Sequence, residues 1–310
     1  MPNPRHHRLT SRVLLFDRDD NVLLFLTKAP DSSGTSRWIT PGGGVDPGED
    51  HATAAARELH EETGLRGIPL GEPAWAHDFD VAWDAADHDT GHAEFYTAVV
   101  DAFEPSDELW TDDERVDVLE HRWWSLADLE TTGEPFEPAE LPTLVRTTIA
   151  LRTLEARELE VEFERFDLDA AWELGTLLVT LARRRGLAIT VDITIGAQQA
   201  FHAALPGTTD DNDYWIARKI RTVQRYGESS FLVGRRHAAA GTDFNEATGL
   251  PFTEYVAHGG CVPIRTVDGI VGTVTVSGLP QRDDHELALE ALSAFRGLQE
   301  TSESAESHRA

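Results

Sequence analysis

Residues 43–65 read GGVDPGEDHATAAARELHEETGL, and the spacing of their carboxylates decides the reading of the first half of the chain. Glu58, Glu61 and Glu62 stand at i, i+3 and i+4, which an α-helix stacks on one side within a few ångströms. Three neighbouring carboxylates repel one another at neutral pH unless a cation sits among them. An all-oxygen cluster suits a hard divalent ion, Mg²⁺ or Mn²⁺. The helix is well signalled: Asp50 is placed as its N-cap, Ala52, Ala54, Ala55 and Ala56 are strong helix formers, and Gly64 is placed to stop it. Upstream, Pro41-Gly42-Gly43-Gly44-Val45-Asp46-Pro47-Gly48 is a turn-rich loop whose glycines let backbone amides approach a phosphate closely.

The full pattern is Gly43-x5-Glu49-x7-Arg57-Glu58-Leu59-x-Glu61-Glu62-x-Gly64-Leu65. It resembles the signature of the Nudix hydrolases at every fixed position. That resemblance implies an α/β/α sandwich with a mixed sheet. It also implies Mg²⁺-dependent hydrolysis of a nucleoside diphosphate linked to another moiety. By the same resemblance Glu58, Glu61 and Glu62 are the metal ligands, and Arg57 pairs with Glu49 to orient loop and helix. The backbone of Gly42 and Gly43 lines the metal and phosphate pocket. The identity of the general base stays open, since it varies across the family. A further carboxylate from outside the box often completes such sites, and Glu94, Asp112, Asp113, Glu114 and Glu120 are the candidates. Glu114 is favoured, although Asp112-Asp113-Glu114 also reads as a solvated acidic loop. Trp38 and Trp123-Trp124 are candidates for stacking on a nucleobase, in competition with the usual place of tryptophan in a core. His77, His88 and His92 lack metal-ligand spacing and read as solvated, beside a mobile loop at residues 84–91.

Around the box, residues 11–16 and 21–27 read as strands about the turn Asp17-Arg18-Asp19-Asp20, and 91–103 and 118–124 as further strands. Ser125 opens a capped helical turn, and a helical pattern resumes over 140–155. At 310 residues the chain is about twice a typical domain. The expected division is 1–156, 157–300 and a disordered polar tail at 301–310.

The second region repeats nothing in the first. A strand is expected over 159–166, a helix over 169–185 stopped by Gly186, and strands over 187–195 and 198–205. A helix over 212–226, a hairpin over 261–277 turned at Val267-Asp268-Gly269, and a helix over 283–298 follow. This order predicts an antiparallel sheet flanked by helices, an α+β arrangement. Five stretches carry a second resemblance, to the haem-degrading-domain family: Phe201-His202-Ala203-Ala204-Leu205-Pro206-Gly207-Thr208, Asn212-Asp213-Tyr214-Trp215-Ile216-Ala217-Arg218-Lys219, His258-Gly259-Gly260, Val276-Ser277-Gly278-Leu279-Pro280 and Asp284-His285. Cys261 stands where a further glycine is expected. The resemblance makes haem a candidate cofactor, with His202, His258 and His285 the residues to nominate for contact. For each histidine the stronger reading is hydrogen-bonded scaffold or cap. A small ligand or homo-oligomeric assembly are the roles open to this region.

Charge and cysteine content narrow the partners. With 27 basic against 55 acidic residues the net charge is −28, which disfavours a nucleic-acid polymer but allows a small nucleotide chelated to Mg²⁺. The single cysteine, Cys261, excludes an intramolecular disulfide framework and fits a reducing cytoplasm. No apolar stretch reaches membrane-spanning length. Two readings compete: a diphosphate hydrolase with an accessory domain, and a haem or ligand sensor whose first domain binds a nucleotide without turnover. The intact glutamates favour the enzyme.

Overall fold

Val13-Leu14-Leu15-Phe16 is fully buried at all four positions, as a strand covered on both faces requires. In the computed structural model, which describes residues 7–29, 34–81 and 88–307 (301–307 as backbone only), this run ends β1 (His7–Phe16). The chain divides into two units, Met1–Ala150 and Leu151–Ala310.

The first unit follows β1 with β2 (Val22–Lys28), β3 (Ser36–Ile39), β4 (Gly42–Gly44), α1 (His51–Thr63), β5 (Trp75–Asp80) and β6 (Thr90–Val99). It continues through α2 (Asp112–Asp117), β7 (Val118–Trp124), α3 (Leu126–Thr131), β8 (Phe136–Glu137) and the start of α4 (Leu141–Leu159). The sheet runs β5-β6-β1-β2-β3-β8, with β4 paired to β1 and β7 to β2. It is mixed: β1 lies parallel to β6, and β3 to β8. Alternation divides the apolar residues between two faces. Val13, Leu15, Leu23, Phe25, Tyr96 and Ala98 pack with Ala55 and Leu59 of α1. Leu14, Phe16, Val22, Leu24, Trp38, Phe95 and Trp124 pack with Leu129 of α3 and Leu141, Leu144 and Val145 of α4. The expected α/β/α sandwich results.

Several elements differ from the sequence reading. Gly42–Gly44 is a strand rather than a loop, because glycines without Cβ can lie against β1: a Cβ on Gly42 would strike the Ser11 carbonyl and sit 2.7 Å from Arg12 Cα. Asp112-Asp113-Glu114 opens a short helix. Thr111 and Glu114 close a capping box, in which Glu114 Oε2 accepts from both the Thr111 amide and hydroxyl.

The second unit carries β9 (Glu162–Phe163), α5 (Leu168–Arg185), β10 (Thr190–Ile195), β11 (Gln198–Ala204), α6 (Asp210–Tyr226), α7 (Ser230–Ala239) and α8 (Phe244–Thr248). It closes with β12 (Cys261–Thr266), β13 (Gly269–Ser277) and α9 (Gln281–Ser307). Its sheet order is β11-β10-β13-β12-β9, antiparallel apart from the short edge strand β9, which pairs in parallel with β12. The strand expected over 159–166 shrinks to β9, because α4 continues to Leu159. Inward residues of β10, β12 and β13 meet one face of α5 and of α9, among them Leu174, Leu178, Leu287, Leu292 and Phe295. α9 runs through Glu300 to Ser307, a correction to the unstructured tail, since glutamate and alanine extend an established helix at little cost. Residues 308–310 and 84–87, the latter within the loop read as mobile, lie outside the described residues.

Trp38 is wholly buried, stands edge-on to Trp124 at 5.0 Å, and donates its indole N–H to Glu134. Trp38→Ala is expected to destabilise the first unit by about 3–5 kcal/mol. A urea melt should record this as a lower midpoint with an unchanged slope.

Candidate active site and metal centres

α1 begins and ends as its sequence dictates. The Asp50 carboxylate accepts from the Thr53 amide at 2.8 Å, and Gly64 takes the left-handed conformation, φ 80°, that a C-terminal stop needs. Between these caps the box residues meet strand β4.

Arg57 gathers the acidic groups. Its Nε and Nη2 donate to the two carboxylate oxygens of Glu49 at 3.1 and 3.0 Å, and Nη2 also donates to the Gly44 carbonyl at 2.8 Å. Nη1 donates to Glu58 Oε1 at 2.9 Å and Glu61 Oε2 at 3.0 Å. Glu62 turns the other way and accepts from the Gly42 amide through Oε2, at 2.8 Å. Gly43 is required where it stands: a Cβ there would lie 2.6 Å from the Glu58 carboxyl group.

Each of the three helix glutamates thus commits one oxygen to the protein, and no hydrogen bond from the described residues reaches the other. Burial raises the Glu58 carboxyl above the usual range, against the pull of Arg57. Burial pushes Glu62 up to about 8, opposed by Arg12 and the Gly42 amide. Arg12, missed in the sequence, is half-buried beside β4 and donates to the carbonyls of Thr40 and Gly42 at 3.1 and 2.7 Å. Four carboxylates (Glu49, Glu58, Glu61, Glu62) face two guanidiniums (Arg12, Arg57), so full ionisation leaves two negative charges uncompensated. An all-oxygen donor set with surplus negative charge and a proton-loving, half-buried member fits a hard divalent cation.

Glu58, Glu61 and Glu62 ride on α1 and Glu49 precedes it, and the four do not converge on one point. Among the described residues, the group whose ligand atoms all lie within 4.8 Å of one another is His51, His92 and Glu94. His92 is a correction to the solvated reading, because its ring is bonded to Asp78. The signal available was His92-x-Glu94, since i and i+2 share a face of a strand; the arrival of His51 from the helix had none.

The remaining candidates scatter. Glu114 lies near enough for its charge to raise Glu62, yet its Oε2 accepts from the Thr111 amide and hydroxyl in the cap of α2. Asp112 and Asp113 are exposed in the first turn of α2, and Glu120 pairs with Arg122 at 2.7 Å. Trp38 and Trp124 are buried in the core and Trp123 donates its indole N–H to the Phe103 carbonyl, so stacking on a nucleobase from Trp38 is corrected to a packing role. His77 stacks on Trp75 at 4.3 Å, and His88 meets the edge of Phe79.

In the second unit the nominated histidines do not converge. His285 is wholly buried against Phe231, with its pKa pushed down to about 4 by burial, so it is closed to an external ligand. His258 stacks on Trp215 at 5.0 Å. His202 lies 3.0 Å from Asp192 and 3.4 Å from Asp213. The residues behind the second resemblance form scaffold: Lys219 and Asp284 make a buried ion pair at 3.0 Å, completed by the carbonyl of Val276 and the amide of Leu279. Cys261 is buried, its thiol pushed up to about 12 by burial.

Residues 6–144 match the NUDIX domain family, and residues 166–293 match the haem degrading protein HbpS-like family. A UPF0303 protein of Streptomyces avermitilis is 57% identical over 144 residues, 46% of this chain and 88% of that protein. Among solved structures, the Ybr137w protein is similar at 30% identity with a TM-score of 0.46, over 49% of this chain and 92% of that one. The MutT protein from Methanosarcina mazei Go1 is similar at 20% identity with a TM-score of 0.36, over 46% of this chain and 94% of that one. The chain belongs to the UPF0303 family and joins, in one polypeptide, a NUDIX domain to an HbpS-like domain.

Proposed function

We propose that the first domain is a Mg²⁺-dependent hydrolase, with Mn²⁺ as the alternative ion, that cleaves the diphosphate bond of a nucleoside diphosphate linked to another moiety. The arrangement of Arg57 among Glu49, Glu58 and Glu61, with Glu62 tied to Gly42, carries this reading. Glu58, Glu61 and Glu62 would hold the cation through their free oxygens. A bound divalent ion polarises the diphosphate, acidifies water and offsets charge on the leaving oxygen. The chain's own part is positional. Arg57 fixes two ligands and joins the helix to the loop, and Gly43 leaves room for the Glu58 carboxylate. Gly42 aims its amide at Glu62, and Arg12 holds the loop carbonyls. The acidic surface keeps nucleic-acid polymers away from a site that admits only a chelated nucleotide.

The HbpS-like domain serves as an accessory unit that binds a small ligand or assembles copies of the chain, with haem as a candidate ligand through His258 or His202. No helix of the described residues is long and apolar enough to cross a membrane. The free, buried Cys261 is in keeping with work in the cytoplasm.

Orthophosphate and nucleotide release from a panel of nucleoside diphosphate derivatives is expected only with Mg²⁺ or Mn²⁺. Glu61→Gln should lower turnover by about 10²-fold or more. Absence of turnover with every substrate and metal would overturn the hydrolase.

A pH dependence follows from Glu62. The folded, metal-free chain keeps a proton up to about pH 8 that the unfolded chain loses near 4.5, so the folded state binds more protons between those values. Its stability therefore falls as pH rises through that window. Mg²⁺ must displace the same proton, so affinity rises over the window and levels off above it. Thermal melts with and without Mg²⁺ should follow both trends, and Glu62→Gln should flatten them.

A further inference from the structure

The geometry points to a second metal site in the NUDIX domain, formed by His51, His92 and Glu94 and suited to a borderline divalent transition ion such as Zn²⁺. One ligand atom from each residue lies within 4.8 Å of the other two, and His92 Nε2 stands 3.9 Å from Glu94 Oε1. That gap is too long for a hydrogen bond. It is close to the separation of about 3.3 Å that two ligands roughly 2.0–2.2 Å from a tetrahedral ion adopt. The two imidazole rings approach edge to face at 5.8 Å.

What separates this trio from a chance cluster is that each member is hydrogen-bonded by a neighbouring side chain. Asp78 Oδ1 lies 2.7 Å from His92 Nδ1, which fixes the proton there and turns the Nε2 lone pair outward. Ser11 Oγ lies 2.9 Å from His51 Nδ1. The Tyr96 hydroxyl donates to Glu94 Oε2 at 2.6 Å, leaving Oε1 for a ligand. These supports sit on the sheet: Asp78 is in register with His92 across β5 and β6, and Ser11 with Glu94 across β1 and β6. His51 comes from the first residue of α1. All three ligand residues are half-buried, so an ion can enter from solvent.

Two imidazoles and one carboxylate prefer Zn²⁺, Co²⁺ or Ni²⁺ to Mg²⁺, whereas the glutamates of the box offer oxygen alone. Three protein ligands also leave a fourth position for water or an incoming group. The site is independent of the hydrolase reading and stands whether or not the box glutamates turn over a substrate.

Full-length protein stripped with chelator and titrated with Zn²⁺ against a chromophoric competitor tests it. One equivalent is expected to bind and raise the melting temperature, undiminished in Glu61→Gln and in excess Mg²⁺. His92→Asn and Glu94→Gln should each abolish that equivalent, and Asp78→Asn should weaken it by about 10- to 100-fold. Co²⁺ added to the wild type should give visible absorption bands of a four- or five-coordinate site, a readout that needs no variant to fold. Zn²⁺ binding unchanged in His92→Asn and Glu94→Gln, or a wild type without such bands, would overturn the site.

Discussion

The Arg57 guanidinium is the interaction on which the NUDIX half depends. Three glutamates on one side of a helix repel one another and weaken the element that carries them. Arg57 lies between two of them and spends its remaining donors on Glu49 and the Gly44 carbonyl, so one planar cation joins the helix to the strand before it. Lysine could not substitute, because a point charge lacks the fork that engages both oxygens of Glu49 while reaching two further carboxylates. Glu62 stands outside that cluster. It is half-buried against the Gly42 amide and near Arg12, and its preference for a proton marks where negative charge is hardest to hold without a cation.

Much of this was legible before the structure because it is local. The caps of α1 and the bounds of β7 and of the hairpin β12–β13 follow from residues close in sequence, and the pairing of Arg57 with Glu49 was implied by the resemblance to the Nudix hydrolases. The second unit's alternation of strands and amphipathic helices was readable for the same reason. What escaped was long-range or isolated. Arg12 is an ordinary arginine until β1 pairs with β4, and Trp38 preceded a glycine run that invited a ligand role but turned into the core. His51 and His92 are separated by 41 positions, and only the packing of α1 on the sheet brings them together. The Thr111–Glu114 box could have been recognised as a helix start, but a dense acidic run reads first as solvated loop.

The HbpS-like half presents the reverse case. Its sequence resemblance is carried by residues that the structure commits to scaffold: Lys219 with Asp284, and His285 enclosed beside Glu158 and Phe231. A buried charge pair of this kind adds little net stability over an apolar pair. Breaking it strands a charge, which makes such a motif recognisable without identifying a ligand.

Strand β1 gives the first domain a shared failure mode. Ser11 pairs with Gly43 on one side and with Glu94 on the other, so the glycine strand against the helix glutamates and the histidine cluster are indexed from the same position. A slip of one residue would exchange the faces of every side chain on β1, pointing Arg12 where Ser11 had been and Leu14 where Val13 had been. Both groups of side chains would lose their alignment in the same event as the two hydrophobic layers. A misregistered molecule would therefore lose the glutamate and histidine arrangements together, so neither of the two proposed sites would outlast the other by this route.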